Sequence, residues 1–295
     1  MTTSPLISLL LPTRGRPIFV ERFFRSISET ALQLERIEVI LYVDEDDTSS
    51  HYLDSEDVSV VRIIGPEMSM GGYNSACLAR ARGDIIILVN DDMVIQTSGW
   101  DKKIVDVDAE FTDKIYLAYS NDLHKGHNQC TFPILSRRTC ELLVEPYPIA
   151  YQGAFIDIHL LDIFKRVQHA GFDRIRYLDD VIFEHLHYRI GKASYDETYR
   201  RRSRFKDDPT FIAMASDRSV GGKRLLNALQ KRALPEFKQA ECYKYTPAGI
   251  FSGICYFPRK FLFDKELPLR WRIFLGYWFI GRYLAAHGFL WPFVR

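Results

Sequence analysis

Gly83-Asp84-Ile85-Ile86-Ile87-Leu88-Val89-Asn90-Asp91-Asp92 decides how this 295-residue chain is read. Five consecutive large aliphatic residues run into three residues with amide or carboxylate ends. An apolar run of that length, bounded by Gly and polar residues, predicts a central strand of a parallel sheet covered on both faces. In open α/β sheets ligands lie beyond the carboxyl ends of such strands. Asp91 and Asp92 are therefore expected where a ligand lies. Paired hard oxygen donors suit Mg²⁺ or Mn²⁺ carrying a phosphorylated substrate. An acidic loop or helix cap after a strand is the plainer alternative.

Working outward, residues 7–11 predict a first buried strand, closed by Pro12-Thr13-Arg14-Gly15-Arg16-Pro17. Residues 19–34 have helical spacing, with Phe19, Phe23, Ile27 and Ala31 on one face. Residues 37–43 predict a second strand that ends in Asp44-Glu45-Asp46-Asp47, and residues 58–64 a third. Gly71-Gly72 opens a helix over residues 73–82. Strand, helix, strand, strand, helix, strand is the rhythm of a Rossmann-like half-sheet. Downstream, helices are expected over residues 100–111 and 156–171, and strands over 115–119, 132–135 and 181–187. Beyond residue 207 the pattern turns irregular and helical.

Composition narrows the class. Charged residues make up 26% and the formal net charge is +1, which points away from disorder and from generic nucleic-acid binding. The five cysteines (Cys77, Cys130, Cys140, Cys242, Cys255) form no CxxC pair and no zinc spacing. They read as small buried hydrophobes of a reducing compartment. The apolar run over residues 6–11 has no basic flank and no small-residue cleavage site, so no signal peptide is expected and the body reads as cytoplasmic.

Four features recur in a recognisable order: Pro12-Thr13-Arg14 after the first strand, Asp44 ending the second, a helix feeding Ala81-x-Gly83-Asp84, and Asn90-Asp91-Asp92. Over residues 6–200 this order resembles the GT-A nucleotide-sugar glycosyltransferases, and within them glycosyltransferase family 2. The resemblance implies an α/β fold with a Rossmann-like mixed, mainly parallel sheet flanked by helices. It implies Thr13 and Arg14 lining the nucleotide, Asp44 accepting a hydrogen bond from the base, Asp91 facing the ribose, and Asp92 ligating Mn²⁺ or Mg²⁺ at the diphosphate. A nucleotide-sugar donor, UDP-linked by expectation, would pass its sugar to a glycan or lipid-linked acceptor with inversion. Two departures stand out. Asn90 replaces the first aspartate of the acidic motif, and Asn74 lies about one place from where an Arg-Asn pair is expected.

The family's catalytic base is an acidic residue at the start of a helix, and Gly153-Ala154-Phe155-Ile156-Asp157 occupies that station. Asp157 would take the acceptor's proton. A helix cap worth about 1 kcal/mol is the alternative, and Asp162, Asp179 and Asp180 compete for the role. GT-A enzymes often supply a late histidine to the metal. His185 and His187, two apart on one strand face, are the candidates, with His185 favoured by its spacing. Arg200-Arg201-Arg202-Ser203-Arg204 reads either as a solvated basic face or as a lid in which Arg201 closes over the diphosphate.

A catalytic domain over residues 1–206 is expected, with a nucleotide-binding half to about residue 92 and an acceptor half after it. A helical, aromatic-rich extension over residues 207–295 follows. Its Trp, Tyr and Phe residues alternate with Arg270, Arg272 and Arg282, and the nine-residue apolar run between the last two is too short to span a bilayer. Either it lies peripherally in a membrane interface or it packs on protein. Two rivals remain open: a nucleotidyltransferase, and a non-catalytic nucleotide- or glycan-binding module on the same fold.

Overall fold

The computed structural model describes residues 6–186, 191–192, 204–238 and 244–289. It divides into two compact units: Met1–Leu161 with Arg174–Arg202, and Asp162–Asp173 with Ser203–Arg295.

The first unit is built on an eight-stranded sheet. Its strands are β1 (Ile7–Thr13), β2 (Ile37–Asp44), β3 (Ser59–Gly65), β4 (Ile85–Leu88), β5 (Met93–Ile95), β6 (Leu117–Asn121), β7 (Pro133–Ser136) and β8 (Ile175–His185). Their order across the sheet is β3-β2-β1-β4-β7-β6-β8-β5. β1 pairs in parallel with both β2 and β4, β2 with β3, and β6 with β8. β7 runs antiparallel to β4 and to β6, and β5 antiparallel to β8. All four residues of β4 are buried, as its aliphatic run requires. Its surroundings differ from the expectation of parallel neighbours on both sides. The link from β6 to β7 contains no crossover helix of the kind a parallel return needs, so β7 comes back antiparallel.

Helices α1 (Pro17–Thr30), α2 (Met70–Arg80), α3 (Trp100–Glu110), α4 (Arg137–Leu143) and α5 (Ile156–His169) connect the strands. Pro17 starts α1, where its missing N–H costs nothing. Val20, Phe23, Phe24 and Ile27 make its buried stripe. The helix stops at Thr30 rather than at residue 34, because the Asp101 carboxylate takes the backbone N–H groups of Leu32 and Gln33. α2 begins three residues before the expected 73, since Ser69 caps it by accepting the Gly72 N–H. β8 begins upstream of 181. Its first half is only partly buried, so the alternation that marks a strand is weak there.

The Ala81-x-Gly83-Asp84 segment clamps the starts of β1 and β4 together. The Asp84 carboxylate accepts the Leu6 N–H, and the Gly83 N–H donates to Ser8 Oγ. A Cβ on Gly83 would lie 2.4 Å from Ser8 Oγ and 2.9 Å from the Leu6 carbonyl oxygen. Ser8 in turn donates to the buried Glu38, which also accepts the Arg82 N–H and side chain. Burial alone would push the Glu38 carboxyl up, but these hydrogen bonds outweigh it and hold the group below its ordinary value.

In the second unit, α5 is followed by α6 (Asp208–Ala213), α7 (Ala215–Leu229), α8 (Ile250–Leu262) and α9 (Leu269–Ala286). Asp162 anchors this unit. Its fully buried carboxylate accepts from Arg166, Arg218 and the Trp271 indole at 3.1, 2.8 and 2.8 Å. Arg166 reaches on to Asp264 and Glu266. α8 and α9 pack through Gly253, Phe257 and Phe261 against Phe279 and Tyr283.

Gly83→Ala is expected to destabilise the protein by about 1–3 kcal/mol through overpacking, measured by thermal unfolding. Glu38 contributes stability above its ordinary pKa of about 4.3 and loses it as pH falls through the depressed folded value. The stability gap between wild type and Glu38→Gln should therefore narrow as pH falls below about 4 in denaturant titrations.

Candidate active site at the carboxyl ends of β1, β2 and β4

The loop after β1 folds over the end of β2. Arg14 donates to Asp44 Oδ2 and, at 2.6 Å, to Asp46. The Gly15 N–H donates to Asp47 at 2.6 Å. Tyr73, from α2, donates its hydroxyl to Asp44 Oδ1 at 2.6 Å, and its ring lies 4.9 Å from that of Tyr42. Burial and the Asp44 hydrogen bond push the Tyr73 phenol well above its ordinary range, so it remains a donor. Both oxygens of the buried Asp44 are thus engaged, although a carboxylate has about four lone-pair sites and can accept a further N–H. Asn74 is buried on the same helix. Tyr73 was not singled out from sequence; its place next to Asn74 is the signal that could have found it.

At the end of β4, Asn90 makes a turn, its carbonyl accepting the Met93 N–H. Asp91 is buried and accepts from Thr13 Oγ1 and from Arg16 Nη1, both at 2.9 Å. Burial pushes the Asp91 carboxyl up to about 6, against the Arg16 charge and with the Asp92 charge adding to the rise. Arg16 lies inside the Pro12–Pro17 turn read from sequence, but its ion pair with Asp91 was not anticipated.

Asp92, also buried, has Oδ1 3.3 Å from His185 Nε2. The antiparallel pairing of β5 with β8 puts Met93 opposite His185 and so brings Asp92 and His185 together. The Asp92 carbonyl accepts the Leu186 N–H at 2.8 Å, which fixes the same register. Arg22 of α1 feels the charges of Asp92, Asp91 and Glu184, while burial pulls its guanidinium pKa down. Its Nε and Nη2 are buried without a hydrogen-bond partner. Nothing in the helical pattern of residues 19–34 distinguished it. His187 and Arg201 lie outside the described residues.

Asp157 sits in the first turn of α5. Its Oδ2 accepts from the Gln129 amide and its Oδ1 from the Ile158 N–H at 2.8 Å. Cys130 Sγ donates to its carbonyl. Phe155, two residues earlier, has φ 72°. A bulky side chain in the left-handed region is a strained conformation of the kind found at functional sites. The rival carboxylates have other company. Asp162 is enclosed by two arginines and an indole, and Asp179 and Asp180 are exposed, the latter paired with Lys103.

One residue that the sequence did not signal ties these parts together. The fully buried Asp122 accepts the backbone N–H groups of His124, Lys125 and Gly126 and the Thr131 hydroxyl, and so shapes the loop carrying Gln129 and Cys130. Its carbonyl also accepts the His185 N–H. Burial opposes ionisation of Asp122, but the four hydrogen bonds prevail and hold its pKa low.

Among the described residues, no group of three or more His, Cys, Asp or Glu side chains is gathered as a complete metal cage. Asp92 and His185 would supply one carboxylate oxygen and one imidazole nitrogen, two ligands at most, to a divalent cation. Mg²⁺ in particular is usually held by one or two carboxylates plus substrate phosphates rather than by a dedicated protein cage.

No family model matches the sequence, and no curated protein matches it. Solved structures do. The chain is similar to the mannosyltransferase PcManGT from Pyrobaculum calidifontis, solved in complex with GDP-Man and Mn²⁺. The TM-score is 0.50 at 15% identity, covering 99% of this chain and 88% of that one. It is also similar to S. aureus TarS 1–349, with a TM-score of 0.50 at 13% identity, covering 96% and 92%. At such identities the likeness is one of fold, and it agrees with the mixed, mainly parallel α/β architecture expected from the sequence.

Asp122→Asn removes a charge that four donors converge on; its amide oxygen can keep the three backbone N–H groups of Oδ1, and its N–H₂ then replaces the acceptor of the Thr131 hydroxyl. The substitution should cost about 1–3 kcal/mol of stability, measured by denaturant unfolding.

Proposed function

We propose that this protein is a metal-dependent, inverting glycosyltransferase of the family 2 type. In this reading it moves a sugar from a nucleotide-sugar, UDP-linked by the sequence expectation, to a hydroxyl of a glycan or lipid-linked saccharide. The observation that carries the proposal is the meeting of Asp92 and His185 beside the Thr13–Asp91–Arg16 cluster, at the strand ends where α/β folds bind ligands. The pair joins one hard oxygen and one imidazole nitrogen at a point served by Arg16 and Arg22.

The residues divide the work as follows. Asp44, set by Arg14 and Tyr73, receives the base of the nucleotide, with Asn74 beside it. Thr13 and Arg14 line the nucleotide, and Asp91, which accepts from Thr13, faces the ribose. Asp92 and His185 would hold a divalent cation, which would supply charge neutralisation at the diphosphate. Asp157 accepts the proton of the acceptor hydroxyl while that oxygen forms its bond to the anomeric carbon. The bond from that carbon to the diphosphate breaks on the opposite face, and a nucleoside diphosphate leaves. Gln129 orients the Asp157 carboxylate, and the positive end of α5 favours its ionised form. The first unit is the catalytic body in this reading, and contact of the helical unit with a membrane belongs to it as a proposal.

Thermal shift with Mn²⁺ and a panel of UDP- and GDP-sugars tests the reading. A donor at a hundredfold excess over Kd should stabilise the wild type by about 2.7 kcal/mol, and only with metal present. Asp92→Ala and His185→Ala should lose the metal-dependent part. Asp157→Asn should keep donor binding and lower kcat by about 10²–10⁴-fold. A metal-independent shift, or no shift with any donor, would overturn the proposal. Release of pyrophosphate instead of nucleoside diphosphate would assign the site to nucleotidyl transfer.

A further inference from the structure

α8 and α9 turn one apolar face inward and a second one outward. The inward stripes are Gly253, Phe257 and Phe261 of α8, and Trp271, Leu275, Phe279 and Tyr283 of α9. A helix pair resting on a protein core should be polar on its other side. This one leaves Phe251 87% exposed, Phe263 73%, Tyr277 79%, Leu269 62% and Ile273 53%. Leu269, Ile273 and Tyr277 are four residues apart and so line a single stripe of α9. Exposed large side chains gathered on two consecutive helices mark a surface that meets something apolar.

Charge identifies the partner. Residues 250–286 carry six basic side chains and two acidic ones, Asp264 and Glu266. Both acids engage Arg166, whereas Arg259, Lys260, Lys265 and Arg270 are exposed. The exposed side chains of the two helices are therefore mainly apolar and cationic. A second copy meeting this face about a twofold axis would set those cations against their own equivalents. No described helix is long and apolar enough to cross a membrane, so insertion as a span is not open to these segments.

We infer that the outward face of α8 and α9 docks on an anionic phospholipid surface, with its aromatic and aliphatic side chains at the acyl boundary and its Arg and Lys side chains among the headgroups. The inference rests on the proposed function only in supplying a reason to be there: a lipid-linked acceptor is held at the same surface.

Co-sedimentation of the full chain with phosphatidylglycerol-containing vesicles, and with pure phosphatidylcholine vesicles, tests this. Binding should be stronger by about tenfold or more on the anionic vesicles. Arg259→Glu with Arg270→Glu should remove that preference. Phe251→Ser with Tyr277→Ser should weaken binding to both vesicle types at an unchanged melting temperature. Absence of binding to anionic vesicles would overturn the inference. So would light scattering that shows a dimer abolished by Phe251→Ser, since the face would then belong to a second copy. Donor thermal shift on the same preparation keeps the two proposals apart. Donor binding without vesicle binding sinks the docking surface alone, and vesicle binding without donor binding sinks the transferase alone.

Discussion

Two adjacent carboxylates, Asp91 and Asp92, lie buried at the end of β4. A charge in that position is costly unless it is paired and hydrogen-bonded. The elements around them supply the compensation. The loop after β1 brings Thr13 and Arg16, α1 brings Arg22, and β8 brings His185. The strand ends of β1, β4 and β8 are held together by this need as much as by backbone pairing. Arg16 pairs with Asp91 and His185 lies beside Asp92, so each buried acid has a basic neighbour of its own.

The same device recurs through the first unit. Buried acidic side chains do the work that longer stretches of regular structure do in other folds. Asp44 gathers Arg14 and Tyr73, Glu38 gathers Ser8 and Arg82, Asp101 stops α1, and Asp122 shapes the loop that reaches Asp157. Each carboxylate accepts two or more hydrogen bonds, which holds Glu38 and Asp122 ionised despite burial. A loop fixed in this way can carry a reacting group at a defined place without being a helix or strand itself. The strained backbone at Phe155 is affordable beside such anchors. In the second unit Asp162 serves as a structural hub between two arginines and an indole, which accounts for its complete burial.

Much of this was legible in the order of residues, because the physics behind it is local. The aliphatic run at residues 85–89 reads as a covered strand, and Asp44 and Asp92 stand at or just beyond strand ends. Helix α5 followed from apolar spacing, and Asp157 was expected at its start from the family resemblance. The aromatic character of the last helices was plain, but a count of aromatics cannot divide an inward stripe from an outward one. Trp271 and Tyr283 pack inward while Tyr277 faces solvent, and only the packing of α8 on α9 makes that division.

What the order of residues could not supply is contact between residues distant in the chain. β5 is three residues long and has no signal of its own; it exists because β8 pairs with it, and that pairing alone sets His185 against Asp92. Arg16, Arg22 and Asp122 sit in patterns that look like an ordinary turn, an ordinary helix face and an ordinary loop. Their roles arise from burial next to opposite charge or converging N–H groups, and burial is a property of the packed chain. The sequence thus carried the parallel strands β1 to β4 and the mixed α/β class, since periodicity is local. Tertiary structure decided which charges meet, because the energy of a buried charge depends on neighbours that only folding brings near.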